Sequence, residues 1–176
     1  MGRRKNAWNA IKNHCFNVIA HQIISSWIKQ AKNTNELPPY KYFTQFAFLW
    51  FAFNAFYSDS YIDNHDFSEW DAINYCISNI SEDTVDNVLA CDGFYVICKK
   101  LDHIKSMDHK HHGAVAFGYS YINDRDPGKR FKGLIQILYV VRCNLFHGHK
   151  SICSTHDQQI VKASVDCLMH LMTHLA

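Results

Sequence analysis

The stretch 131–150, FKGLIQILYVVRCNLFHGHK, constrains the fold more than any other part of the 176-residue chain. It opens as an almost uninterrupted apolar helix and closes on a polar cluster of Arg142, Asn144, His147, His149 and Lys150. Phe131, Leu134, Ile135, Leu138, Val141 and Leu145 recur at helical spacing and make one core face. Gly133, Ile137, Val140, Asn144 and His147 trace a second face that begins apolar and ends polar. A helix apolar on two sides must be buried on two sides. The expectation is its own bundle on one side and a partner subunit on the other. Gly148 sits where a helix C-terminal glycine belongs, so the chain should turn just after His147.

The rest of the chain agrees with an all-α fold in one domain spanning residues 1–176. Hydrophobic residues make up 48% of the sequence, enough for a core, and only seven Gly and three Pro interrupt the patterned segments. A first helix is expected over residues 6–31, with Trp8, Ile11, Cys15, Val18, Ile19, Ile23 and Trp27 as its apolar stripe, ended by Pro38-Pro39. Residues 42–58 contain FAFLWFAFNAFY, which reads as apolar all round and therefore as the bundle's central helix. Asn54 lies inside that run. It is either a hydrogen-bonded core amide or a support for the Arg142/His147 cluster, because a buried amide without partners costs about 1–3 kcal/mol. Shorter helices are expected at 67–80, at 81–91 with Ser81 as N-cap, and at 94–105. Residues 106–129 read as an irregular loop, with a turn at 123–128, and a last helix runs over 157–175. No segment reaches the ~18 apolar residues of a membrane span. Seven cysteines, without a CxxC pair or a leader-like apolar start, read as reduced thiols in a cytoplasmic protein.

Most catalytic signatures are missing. There is no phosphate-binding glycine loop, no GxSxG and no HExxH. His109, His111 and His112, with Asp108 or His103, are the only metal-like cluster. Adjacent histidines do not converge easily and no cysteine is near, so no metal or other cofactor is expected. Cys143 follows Arg142 but points away from Asn144 on a helix, which suits a buried thiol better than a nucleophile.

Arg142, Asn144 and His147 are the strongest signal. Arg142 and His147 are about 140° apart on an ideal helix, so one copy does not bring them together neatly. Two copies across a two-fold axis place the same patch against itself and would make a cleft with two arginines and two histidines. Such a cleft suits RNA cleavage without metal. One histidine takes the ribose 2'-OH proton, a second group protonates the leaving 5'-oxygen, and arginine holds the phosphate and its developing charge. Lys129, Arg130, His149 and Lys150 are candidate RNA contacts, and the aromatics of 117–121 could stack bases. The plainer reading is a helix that ends on residues favourable to its dipole.

The heptapeptide Arg142-Cys143-Asn144-Leu145-Phe146-His147-Gly148 resembles the Arg-x-x-x-x-His signature of HEPN domains, in the bacterial form R-x-N-L-F-H-G followed by a basic residue, here Lys150. Phe53-Asn54-Ala55-Phe56-Tyr57 resembles the ending of the companion helix in that branch. Together the two motifs cover about thirty residues. The resemblance implies a bundle of four to five core helices with short extra ones, a homodimer through the 131–148 helix, and metal-independent endoribonuclease activity. It also implies a toxin–antitoxin or phage-defence role, with an antitoxin or activator protein as a further partner. Arg142 and His147 would be catalytic, Asn144 the polar residue between them, and Asn54 and Tyr57 supporting residues. Many members carry the polar residue directly after the arginine, where this chain has Cys143. A subgroup carries a tyrosine two residues after the histidine as a nucleotide-transfer target. Here that position is His149, so silencing of that kind is not implied. The alternative is a non-catalytic HEPN module that binds RNA, a nucleotide or a protein.

Overall fold

A computed structural model describes residues 18–59, 68–90, 124–148 and 150–175. Among these there are six helices and no strand, so the fold is all-α. They are α1 (Val18–Lys32), α2 (Tyr40–Asp59), α3 (Glu69–Ile77), α4 (Glu82–Leu89), α5 (Pro127–Phe146) and α6 (Thr155–Leu175). The expected helix at 94–105, the His103/His109/His111/His112 group, the 117–121 aromatics and His149 lie outside the described residues, as does the part of the first helix before residue 18.

Helix α2 packs on α1 and α6 and touches α3, while α5 packs on α4 and α6. Phe46, Leu49, Trp50 and Phe53 of α2 share one buried cluster with Leu134, Ile135, Leu138 and Val141 of α5 and with Val161, Leu168 and Leu171 of α6. Burying such side chains contributes about 1.5–3 kcal/mol each, and this cluster holds the helix ends that carry the polar motif. No helix among the described residues is long and apolar enough to cross a membrane.

Local chemistry sets the helix starts. Ser68 caps α3 in a reciprocal box: its hydroxyl accepts from the Asp71 amide at 3.2 Å, and the Asp71 carboxylate accepts from the Ser68 amide at 3.1 Å. Ser81 caps α4 as the sequence indicates. Helix α5 begins earlier than expected. The Asp-Pro-Gly segment taken for a turn is its first turn, with Asp126 as N-cap accepting from the Gly128 amide at 2.8 Å and Pro127 within the first helical positions. Proline suits that place because its missing N–H would have no partner there and its φ is already helical. At the other end His147 is the C-cap, and Gly148 follows with φ 73°, a left-handed conformation that favours glycine.

Two expectations about burial need correction. The second face of α5 does not wait for a partner subunit: Gly133, Ile137, Val140 and Asn144 are all buried within the single chain. Beyond its exposed first turn, α5 leaves to solvent a stripe at its C-terminal end, with Tyr139 and Arg142 partly covered and Phe146 and His147 exposed. Nor is α2 enclosed on all sides. Phe51, Asn54 and Ser58, three and four residues apart, form one open stripe, and the Asn54 amide oxygen accepts a hydrogen bond from Ser58 Oγ at 3.2 Å.

Candidate active site

The C-terminal turn of α5 meets α2 and the first residue of α3 around Arg142. Its guanidinium reaches Glu69, with Nη1 to Oε2 at 3.1 Å. Glu69 in turn accepts a hydrogen bond at Oε1 from the hydroxyl of buried Tyr57, at 2.7 Å. Aromatic rings wall the guanidinium: its central carbon lies 5.9 Å from the Trp50 ring centroid, 6.0 Å from Tyr139 and 5.5 Å from Phe146. Cations over aromatic faces at such distances are attracted by the ring quadrupole. The Arg142 and Glu69 side chains are 26% and 27% exposed, so the pair is neither sealed nor free in water.

The pair engages one nitrogen of the fork. Nη1 also lies 3.9 Å from Cys143 Sγ, while Nε is buried without a hydrogen-bond partner. The Trp50 indole N–H is likewise buried without a partner. Unpartnered buried donors cost about 1–3 kcal/mol each and are rare.

Burial and the neighbouring carboxylate leave their mark on the tyrosines. The Tyr57 hydroxyl is pushed far above the usual phenol range, chiefly by burial and then by its hydrogen bond to Glu69. Tyr139 is pushed up to about 12, again chiefly by burial, with Cys143 next. Both therefore remain hydrogen-bond donors at any neutral pH.

His147 stands at the end of the same helix. Its ring is exposed, and its backbone N–H bonds the Cys143 carbonyl at 2.9 Å. No contact joins it to Arg142 among the described residues, as their spacing around the helix requires. The residues assigned to RNA do not gather here. Lys129 and Arg130 are on the first turn of α5, about 20 Å along the helix from Arg142. Lys129 is paired with Asp124 at 3.5 Å. Lys150 is buried: its Nζ meets Asp157 at 3.4 Å and its side chain is 2% exposed, so the loop is stapled to the start of α6. Asn144 is buried on the core side of the helix, two residues and about 200° from Arg142. Of the two supporting candidates, Tyr57 joins the Arg142 network and Asn54 faces solvent.

Glu69 is the participant that the sequence did not announce. A Ser-x-x-Asp box at 68–71 marks a helix start and so places Glu69 at its first position. Nothing local indicates that its partner lies on another helix, 73 residues later.

Beside Arg142 an aromatic ridge crosses three helices. Phe146 meets Phe51 with ring centroids 6.4 Å apart, and Phe51 meets Trp27 at 5.1 Å. Phe51 and Phe146 are 37% and 47% exposed. A cavity of about 480 Å³ lies at the opposite end of α5, between Ile77, Glu82, Asp86, Asp126, Phe131 and Lys132. Three carboxylates around one lysine disfavour a polyanion in that cavity. Compared with protein-family profiles, curated protein sequences and solved structures, the chain finds no match in any of the three.

Proposed function

We propose that the protein is a metal-independent endoribonuclease of the HEPN type, acting as a homodimer in a toxin–antitoxin or phage-defence setting. The observation that carries this reading is the state of Arg142. A cation pinned at Nη1 by Glu69, walled by aromatic rings and a quarter exposed is poised to take an anion with the Nη donors that Glu69 leaves unengaged. The exposed imidazole of His147 ends the same helix. In the reaction, His147 of one protomer accepts the 2'-OH proton and the 2'-oxygen attacks phosphorus. The 5'-oxygen leaves with a proton from the second histidine, and Arg142 stabilises the charge on the phosphorane-like transition state. The products are a 2',3'-cyclic phosphate and a 5'-hydroxyl.

The open stripe of α5, not its buried second face, is the surface on which two copies would meet. It carries both functional side chains, and isologous contact would set Arg142 of one protomer toward His147 of the other. The second reading, a non-catalytic module that binds RNA, a nucleotide or a protein, is favoured by the aromatic ridge of Trp27, Phe51 and Phe146. Exposed rings beside a cation suit base stacking.

The test is incubation of total cellular RNA with wild type and His147→Ala in excess chelator, followed by analysis of product ends. Cleavage by wild type alone, leaving cyclic phosphates, is the expected result. Dependence on added divalent metal would contradict the proposal. Salt-sensitive binding without cleavage would favour the module.

A further inference from the structure

Three helices converge on one chain of polar contacts: Tyr57 from α2, Glu69 from α3 and Arg142 from α5. Tyr57 Oη donates to Glu69 Oε1 at 2.7 Å, which leaves Oε2 for Arg142 Nη1 at 3.1 Å. The Ser68/Asp71 capping box fixes the backbone on either side of Glu69, so the carboxylate cannot easily drift. The Trp50, Tyr139 and Phe146 rings restrict the guanidinium from its faces.

We infer that Glu69, oriented by Tyr57, is the positioning residue of Arg142, presenting the Nη donors it leaves unengaged to an RNA phosphate. The inference rests on the ribonuclease reading and deepens it. Glu69 does not touch the RNA. It contributes by setting the geometry of a group that does, at the cost of placing a negative charge near the phosphate. A carboxylate that merely neutralised Arg142 would have the opposite effect on the reaction, because its removal would free the cation.

That opposition makes the inference testable. Wild type, Glu69→Gln and Tyr57→Phe are compared in steady-state cleavage of a single-stranded RNA, with circular dichroism confirming the fold. Glu69→Gln keeps the size and an acceptor for Tyr57 but removes the charge that holds Nη1. The expected result is a fall in kcat of at least about 10-fold, with KM unchanged or lower, because RNA meets one negative charge fewer. Tyr57→Phe should lower kcat by about 3-fold with the same KM pattern. Unchanged or raised kcat in Glu69→Gln would overturn the inference. If Glu69→Gln does not fold, Tyr57→Phe decides alone, and unchanged kcat in it is the overturning result.

A second readout does not need turnover. The Arg142 Nε–Hε resonance, assigned by its loss in Arg142→Lys, is followed as a 2'-O-methyl RNA oligonucleotide is added; this probe carries phosphates but no attacking hydroxyl. The wild-type resonance should be sharp and should shift on titration, and in Tyr57→Phe and Glu69→Gln it should broaden and shift less. If wild type binds and shifts without ever cleaving natural RNA, the ribonuclease reading fails and the positioning of Arg142 for phosphate stands. If the wild-type resonance is already averaged, or ignores the oligonucleotide, the positioning role is wrong whatever the cleavage assay shows.

Discussion

Arg142 and Lys150 are eight residues apart, both cationic, and both paired with a carboxylate, yet their surroundings differ in kind. Lys150 is sealed, with its ammonium 3.4 Å from Asp157 and its side chain 2% exposed. The second Asp157 oxygen accepts from the Ser151 amide at 2.9 Å, so that carboxylate is committed on both sides. Arg142 is held at one nitrogen only, in a pair that is about a quarter exposed. A sealed pair can do no more than hold a loop. A half-open one still has donors to give. The comparison teaches that charge in a motif's tail says little about role until burial and the remaining hydrogen-bond capacity are known.

The largest effects should come from the open end. His147→Ala is expected to lower RNA cleavage by about a thousand-fold, in line with the loss of a general base, with little change in thermal stability because the ring is exposed. Mixing His147→Ala with Arg142→Ala should restore no activity, since the reaction draws one histidine from each protomer and every dimer in the mixture lacks a histidine or both arginines. Recovery of about a quarter of wild-type activity in a mixture that exchanges subunits would instead mean that one arginine and one histidine, from different protomers, complete a site.

At the sealed end the effect should be on stability. Lys150→Met leaves the Asp157 carboxylate buried and unpaired, and should cost about 3 kcal/mol in denaturant unfolding. Lys150→Met combined with Asp157→Asn should regain at least half of that loss, because the amide oxygen can still accept from Ser151 and no lone charge remains. If the single variant unfolds like wild type but loses RNA binding, Lys150 is a phosphate contact and the contrast with Arg142 disappears.

Smaller effects follow from titration. Tyr57 and Tyr139 hold their protons more tightly in the folded protein than in the unfolded chain, where phenols titrate near 10. Their contribution to stability is therefore complete below pH 10 and declines as pH rises through that value toward about 12. Unfolding measured from pH 9 to 11 should show this loss, and Tyr57→Phe should reduce it. His170 shifts the other way. Burial first, and then His174, hold its pKa below the ordinary value, while the Val88 carbonyl opposes them. The unfolded chain takes up that proton first, so stability should slip as pH falls below about 6.5. His170→Gln should flatten this acid limb, the smallest of the expected changes.

The helices were legible because they depend on local chemistry. Ser81 before Glu82-Asp83 is an N-cap by residue type, and the buried faces of α5 and α6 follow from spacing. The start of α5 was hidden because Asp-Pro-Gly serves a turn and a first helical turn equally well. Asn54 was misjudged for a different reason: aromatic residues surround it in sequence, but Phe51 and Ser58 share its open side of α2. Arg142 and His147 stood out by motif, whereas Glu69 could not, because an ion pair between helices leaves no periodic trace. Lys150 looked like a ligand residue because its partner, Asp157, is one of several acids that the sequence offers equally.

One assay joins both ends of the comparison. Chelator-treated wild type, Arg142→Ala and Lys150→Met are each incubated with single-stranded RNA at a temperature where all three are folded. Wild type and Lys150→Met should cleave equally per folded molecule and leave 2',3'-cyclic phosphates, while Arg142→Ala should leave the RNA intact. Cleavage by Arg142→Ala at the wild-type rate, or its loss in folded Lys150→Met, would contradict the account.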